Sequence, residues 1–130
     1  MILPVTLSAV AAAVIVNIWL GLRVAALRRA FKVSIGDGGH EPLSRRMRAQ
    51  LNFAENVPIT LLLIAVLEIA GIGGGWLAYV AGAFILARVA HGFGMDGGKA
   101  QAGRVVGVLV TIAVQLLLAG VAVGVMLRQF

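Results

Sequence analysis

Three long windows of this chain carry neither lysine nor arginine: residues 1–22, 49–87 and 105–127. A helix needs about 20 predominantly apolar residues to cross a bilayer, or about 17 at the low end. The middle window is long enough for two such helices. Gly71-Ile72-Gly73-Gly74-Gly75 divides it, because consecutive glycines maximise the entropy cost of helix. The spacing therefore predicts four apolar segments, at about 3–26, 49–70, 76–93 and 105–127. Runs this long exceed the usual strand length of about 4–8 residues. A membrane β-barrel needs more segments and alternating polarity. The expected fold is all-α: a four-transmembrane-helix bundle forming a single integral membrane domain over residues 1–130.

Composition agrees. The chain is 61% hydrophobic and 12% charged, whereas soluble domains carry roughly 25% charged residues. Disorder requires the opposite bias. No cysteine is present, which removes disulfides, thiolate metal sites and a cysteine nucleophile. Residues 1–22 lack a basic leader region and an A-x-A-like cleavage site, so they are expected to remain as a helix.

The net charge of +6 invites a nucleic-acid reading until the bases are located. Seven of the 11 fall between residues 23 and 48 and three between 88 and 104, while the glycine-rich stretch at 71–75 has none. Lysine and arginine gather on the cytoplasmic side of a membrane. Loops 27–48 and 94–104 are thus expected in the cytoplasm and both termini outside, with no nucleic-acid partner. Gly36-Asp37-Gly38-Gly39 and Asp96-Gly97-Gly98 read as tight turns, since Asp and Gly tolerate positive φ. Gly103 with Gly107, and Gly120 with Gly124, have the spacing that lets helix backbones approach closely in lipid, within the chain or between copies.

Polar chemistry concentrates in the second segment. Arg48, Asn52 and Glu55 fall on one helical stripe, with Asn56 beside them. Ionisable groups inside a span are costly and normally face protein or a wet cavity. Structural contacts that fix helix packing are one reading of this stripe; a binding site is the other. Pro58 removes the hydrogen bond to the Ala54 carbonyl and can open space beside the cluster. Arginine grips carboxylates through forked hydrogen bonds, Glu accepts an ammonium, and Asn or Gln matches amides. A zwitterionic, amide-containing molecule with several carboxylates fits that set. His91 has no partner histidine at metal-ligand spacing, so no metal site is expected. Glu68 is expected at the outer interface rather than in the site.

The stretch Arg45-x-x-Arg48-Ala49-Gln50-x-Asn52-x-x-Glu55-x-x-Pro58 resembles the signature of the membrane-associated proteins in eicosanoid and glutathione metabolism, the MAPEG family. Leu27-Arg28-Arg29-Ala30-Phe31-Lys32-Val33-Ser34 is similar to the basic end of that family's first helix, and Ala87-Arg88-x-x-His91 to its third-helix motif. Arg104 lies where the leukotriene-synthase branch has a catalytic arginine. The Gly36-Asp37-Gly38-Gly39 loop looks most like a bacterial branch. The resemblance implies an inner-membrane homotrimer that binds glutathione as co-substrate between subunits near the cytoplasmic face. It implies that Arg48, Asn52 and Glu55 hold the peptide, assisted by Gln50 and by Arg28 or Arg29. Arg88 and His91 belong to the same set, with His91 open to three roles: acid or base, glutathione contact, or interfacial side chain. Arg104 would stabilise the thiolate for attack on a hydrophobic small-molecule substrate or peroxide from the membrane lipids. The chain departs from the pattern at Asn56, where several family enzymes have Tyr, and near Met95, where the leukotriene synthase has another. Two other functions compete: a non-catalytic lipid-binding protein of the same fold, and a small multidrug transporter. The transporter class wants a membrane Glu amid aromatics in its first helix, whereas Glu55 is in the second and near Arg48.

Overall fold

A computed structural model describes residues 1–130. Four long helices follow one another: α1 (Pro4–Phe31), α2 (Glu41–Ile69), α3 (Gly75–Gly94) and α4 (Gln101–Leu127), the last preceded by a 3-10 turn at Gly98–Ala100. Each is long and apolar enough to span a membrane. At 1.5 Å per residue α1 is about 42 Å long and α3 about 30 Å, against a hydrocarbon core of about 30 Å.

The helices outrun the apolar segments at the basic end. α1 continues through Arg28 and Arg29, and α2 begins eight residues before Ala49. Arg and Lys are good helix formers, so the charges mark where the chain leaves hydrocarbon rather than where helix stops. The connection between α1 and α2 shrinks to residues 32–40, and that between α3 and α4 to 95–100.

Each helix buries one stripe at three- and four-residue spacing. Ala9, Ala13, Val16, Leu20 and Val24 line α1, and Ala49, Phe53, Val57, Thr60, Ile64 and Leu67 line α2. Leu77, Ala81, Phe84 and Arg88 lie on α3, and Gly107, Thr111, Val114 and Leu118 on α4. Only 24 of 130 residues are buried. The remaining apolar surface faces outward, with Ile15, Leu86 and Leu116 each about 70% exposed. Such a surface is at home in lipid, where helices associate through close packing rather than hydrophobic exclusion.

Close packing is most evident between α3 and α4. A Cβ placed on Gly103 would lie 2.5 Å from the Ala90 carbonyl oxygen, and one on Gly107 would lie 2.6 Å from His91 Cβ. The Gly103–Gly107 pair therefore packs inside the chain. Gly120 and Gly124 meet nothing within 4 Å and face outward.

Polar ties lock both ends. At one end, the Glu68 carboxylate accepts hydrogen bonds from the backbone N–H of Val5 and of Thr6, each at 2.9 Å, and from the Thr6 hydroxyl at 2.7 Å. α1 has no acidic residue in its first turn and no side-chain cap of its own, so α2 supplies the negative group that a helix N-terminus favours. At the other end Asp96 sits between Arg23, which it pairs with closely, and Arg46, at 3.3 Å. Arg23 also donates to the Gly92 carbonyl at 2.8 Å and lies over the Trp19 ring. The Asp96-Gly97-Gly98 turn, with positive φ at both glycines, is thereby tied to α1 and α2.

Candidate functional site

The stripe of Arg48, Asn52 and Glu55 lies beside the buried stripe of α2 and turns away from the chain's own core. Arg48 and Glu55 are exposed, and neither has a hydrogen-bond or ion-pair partner. Asn52, at the edge of the stripe, reaches inward. Its Oδ1 accepts a 2.6 Å hydrogen bond from Arg88 Nη1, joining α2 to α3.

Arg88 is the most unusual side chain in the molecule. It is 2% exposed, and its Nε and Nη2 are buried with no hydrogen-bond partner. No carboxylate pairs with it. A buried guanidinium without a counter-charge costs several kcal/mol, on the order of the penalty for removing one partner of a buried pair. The Nε and Nη2 groups are thus buried donors without an acceptor in this chain. His91, one turn further along α3, is 4% exposed. Arg88 and Arg104 both lie within Coulombic range of it.

The other expected residues divide by position. Arg28, Arg48 and Gln50 share one groove of about 580 Å³ between α1 and α2, together with Asn17, Ser44, Met47 and Ala54. Arg28 is also tied structurally, donating to the Gly36 carbonyl at 2.7 Å and to Met47 Sδ at 3.5 Å. Arg29, a third of a turn away, lines a different groove with Lys32 and Ser34. Arg104 is exposed in the first turn of α4, beside Gln101, Val105, Val108 and Leu109. One chain therefore places the expected residues in two groups: a groove with Arg28, Arg48 and Gln50, and a cluster in which Asn52 bonds Arg88 while Arg88 and Arg104 both lie near His91. Glu55 stands exposed at the stripe's far end.

The structure adds an amide network that the spacing of residues did not reveal. Gln115 of α4 donates to the Thr60 hydroxyl at 3.1 Å and to Asn56 Oδ1 at 3.4 Å. Thr60 donates to the Asn56 carbonyl, and Asn56 Nδ2 to the Asn52 carbonyl, each at 2.8 Å. Asn56 thus links α4 to the Asn52–Arg88 pair. The sequence signal for it was a lone Gln amid the apolar fourth segment, which demands a polar partner. A further groove of about 490 Å³ between α1 and α3, lined by Ala9, Ala12, Ala81 and Gly82 among others, is almost wholly apolar.

Fold and site together define a polytopic α-helical membrane protein with a cationic, amide-rich patch toward its basic end. The chain belongs to the MAPEG family, whose profile matches residues 6–124. It is similar to the inner membrane protein YecN of two Escherichia coli strains, at 33% identity over 72 residues. That match takes in 55% of this chain and 54% of the relative, so the chain spans about half the length of the curated relatives it matches.

Proposed function

We propose that the protein is a glutathione transferase, with peroxidase-like capacity, acting on lipophilic electrophiles in a bacterial inner membrane. The observation that carries this reading is Arg88: a buried guanidinium with two unpaired donors calls for a carboxylate or peptide carbonyl, and glutathione supplies both. Exposed Arg48 and Glu55 offer the complementary charges for a second carboxylate and for the ammonium. Charged side chains on an outward face at membrane depth are costly. A neighbouring copy that packs its Asn52–Arg88–Arg104 side against this chain's Arg28–Arg48–Gln50 groove relieves that cost, and the homotrimer is the assembly we propose. Both termini then lie outside, with residues 32–40 and 95–100 in the cytoplasm.

The chemistry asks little of the protein. A cation beside the sulfur draws the thiol below its ordinary value of about 8.5, and Arg104 is the candidate cation, with Arg88 nearby. The thiolate sulfur attacks the electrophilic carbon, whose leaving group departs with the bonding pair. With a peroxide it attacks the distal oxygen, the O–O bond breaks to release the alcohol and leave a sulfenic acid, and a second glutathione thiol condenses with that sulfenic acid to give the disulfide and water. No side chain of the chain need be a nucleophile.

Ultraviolet thiolate absorbance on adding glutathione at neutral pH tests this, together with turnover by Arg104→Ala. The expected result is a thiolate band in the wild type, with turnover lost and binding kept in the variant. Binding without a thiolate band would sink the enzyme reading in favour of a non-catalytic binding protein. Cross-linking to a species other than a trimer would sink the assembly.

A further inference from the structure

The basic end of α1 carries a second cationic feature, which adjoins the Arg28–Arg48–Gln50 groove at Arg28. Arg29 and Lys32 line a groove of about 390 Å³ with Ala25, Arg28, Val33 and Ser34. Both charged groups are exposed and have no ion-pair or hydrogen-bond partner. The acidic residues nearest in sequence are already engaged: Asp37 accepts from the Gly39 N–H at 2.9 Å, and Glu41 pairs with Arg45 at 2.6 Å.

Three further observations point to what fills it. First, Ile35 is 90% exposed, three residues beyond Lys32, so an apolar side chain projects from the same basic connection. Second, the connection is held in shape: Arg28 bonds the Gly36 carbonyl, and the Phe31 and His40 rings stack at 4.0 Å. Third, Lys32 adopts a left-handed conformation, φ 55° and ψ 42°, at the end of α1. Glycine is the usual residue there, so the chain accepts backbone strain at the position that places this ammonium. α1 exceeds the hydrocarbon thickness by about 12 Å, enough length for its basic end to extend to headgroup level.

We propose that this groove is a binding site for the phosphodiester headgroup of an anionic phospholipid. Arg29 and Lys32 supply the cationic donors and Ser34 a neutral one, while Ile35 enters the acyl boundary alongside. A lipid fits better than a soluble phosphate because the groove mixes charge with Ala25 and Val33 and has an apolar neighbour in Ile35. A juxtamembrane base contributes about fivefold in affinity for an anionic surface, so the pair supplies roughly thirtyfold.

The test uses the purified full chain in a neutral detergent, titrated with short-chain phosphatidylglycerol, phosphatidylcholine and glycerol 3-phosphate. Bound lipid is counted by native mass spectrometry. The expected result is selective retention of phosphatidylglycerol, weakened roughly thirtyfold in Arg29→Ala/Lys32→Gly and unchanged in Arg45→Ala, whose base is already paired. Lys32→Gly relieves the left-handed strain, so the loss cannot be attributed to unfolding of that connection. Equal retention of the two lipids, selectivity surviving in the double variant, or equally tight binding of glycerol 3-phosphate would each overturn the proposal. The last would reassign the groove to soluble phosphate.

Discussion

Gly107→Ala offers a sharp test of how α3 and α4 are joined. The new Cβ would lie 2.6 Å from His91 Cβ, 2.7 Å from the Ala87 carbonyl oxygen and 3.0 Å from His91 Cα. Carbon pairs rest at about 3.5–4.0 Å, so α4 must retreat by about 1 Å at this point. Every obstructing atom belongs to the backbone or is a Cβ, and none can rotate aside. A gap of that size forfeits a quarter to a half of the dispersion attraction along the seam, and overpacking costs about 1–3 kcal/mol. Alanine's better helix propensity returns up to about 1 kcal/mol, leaving a net loss of about 1–2 kcal/mol. On the scale of soluble domains that lowers Tm by about 4–10 °C. Thermal unfolding in a mild detergent, followed by tryptophan fluorescence, reads the shift, since Trp19 packs against Phe93 of α3 at 4.8 Å between ring centroids. Gly120→Ala is the control, because nothing lies within 4 Å of its new methyl group; its Tm should hold or rise. If Gly107→Ala is as stable as Gly120→Ala, the Gly103–Gly107 face does not pack on α3 and the reasoning fails.

Three other outcomes follow from the same geometry. Asn52→Ala strips Arg88 of its one hydrogen bond and should cost about 1.5–3 kcal/mol; adding Arg88→Met should restore most of that loss, as a double-mutant cycle would read. Lys32→Gly should raise stability by about 1 kcal/mol, measured as an increase in Tm, because glycine adopts the left-handed conformation without the Cβ penalty. The Gly39 N–H holds the Asp37 carboxyl below its usual range, with the Ser44 side chain adding to this. A lowered folded pKa means the carboxylate's contribution is complete above the ordinary value of about 3.9. It is lost as pH falls through the depressed value. Hydrogen exchange at Gly39 should therefore stay protected through the ordinary carboxyl range and lose protection only as the pH falls below it, whereas Asp37→Asn should lack that acid transition.

The number of helices and their approximate places were legible because hydrocarbon excludes charge, and all of the chain's bases fall outside three windows. Helix ends were less legible. Arg28, Arg29 and Arg45 are as helical as the leucines they follow or precede, since water supports helix as readily as lipid does. The stripe of Arg48, Asn52 and Glu55 was visible as a face, but α2 carries another stripe beside it. Only packing decides that Ala49, Phe53 and Val57 turn inward while Arg48 and Glu55 turn out. Glu68 and Asp96 showed the deeper limit. Their partners, Thr6 and Arg23, lie 62 and 73 residues away, beyond any local pattern. A signal for Glu68 existed in α1, whose first turn offers no acidic residue of its own. Nothing comparable announced that Asp96 would bridge two arginines.

The proposed function requires glutathione to engage Arg48, exposed on α2, and Arg88, buried behind Asn52. Isothermal titration calorimetry of glutathione into the purified chain tests it most directly. Binding should be saturable and weaken at least tenfold in Arg48→Ala and in Arg88→Met, with the fold of both variants checked by circular dichroism. An absence of saturable binding to the wild type, or equal affinity in folded Arg48→Ala, would contradict it.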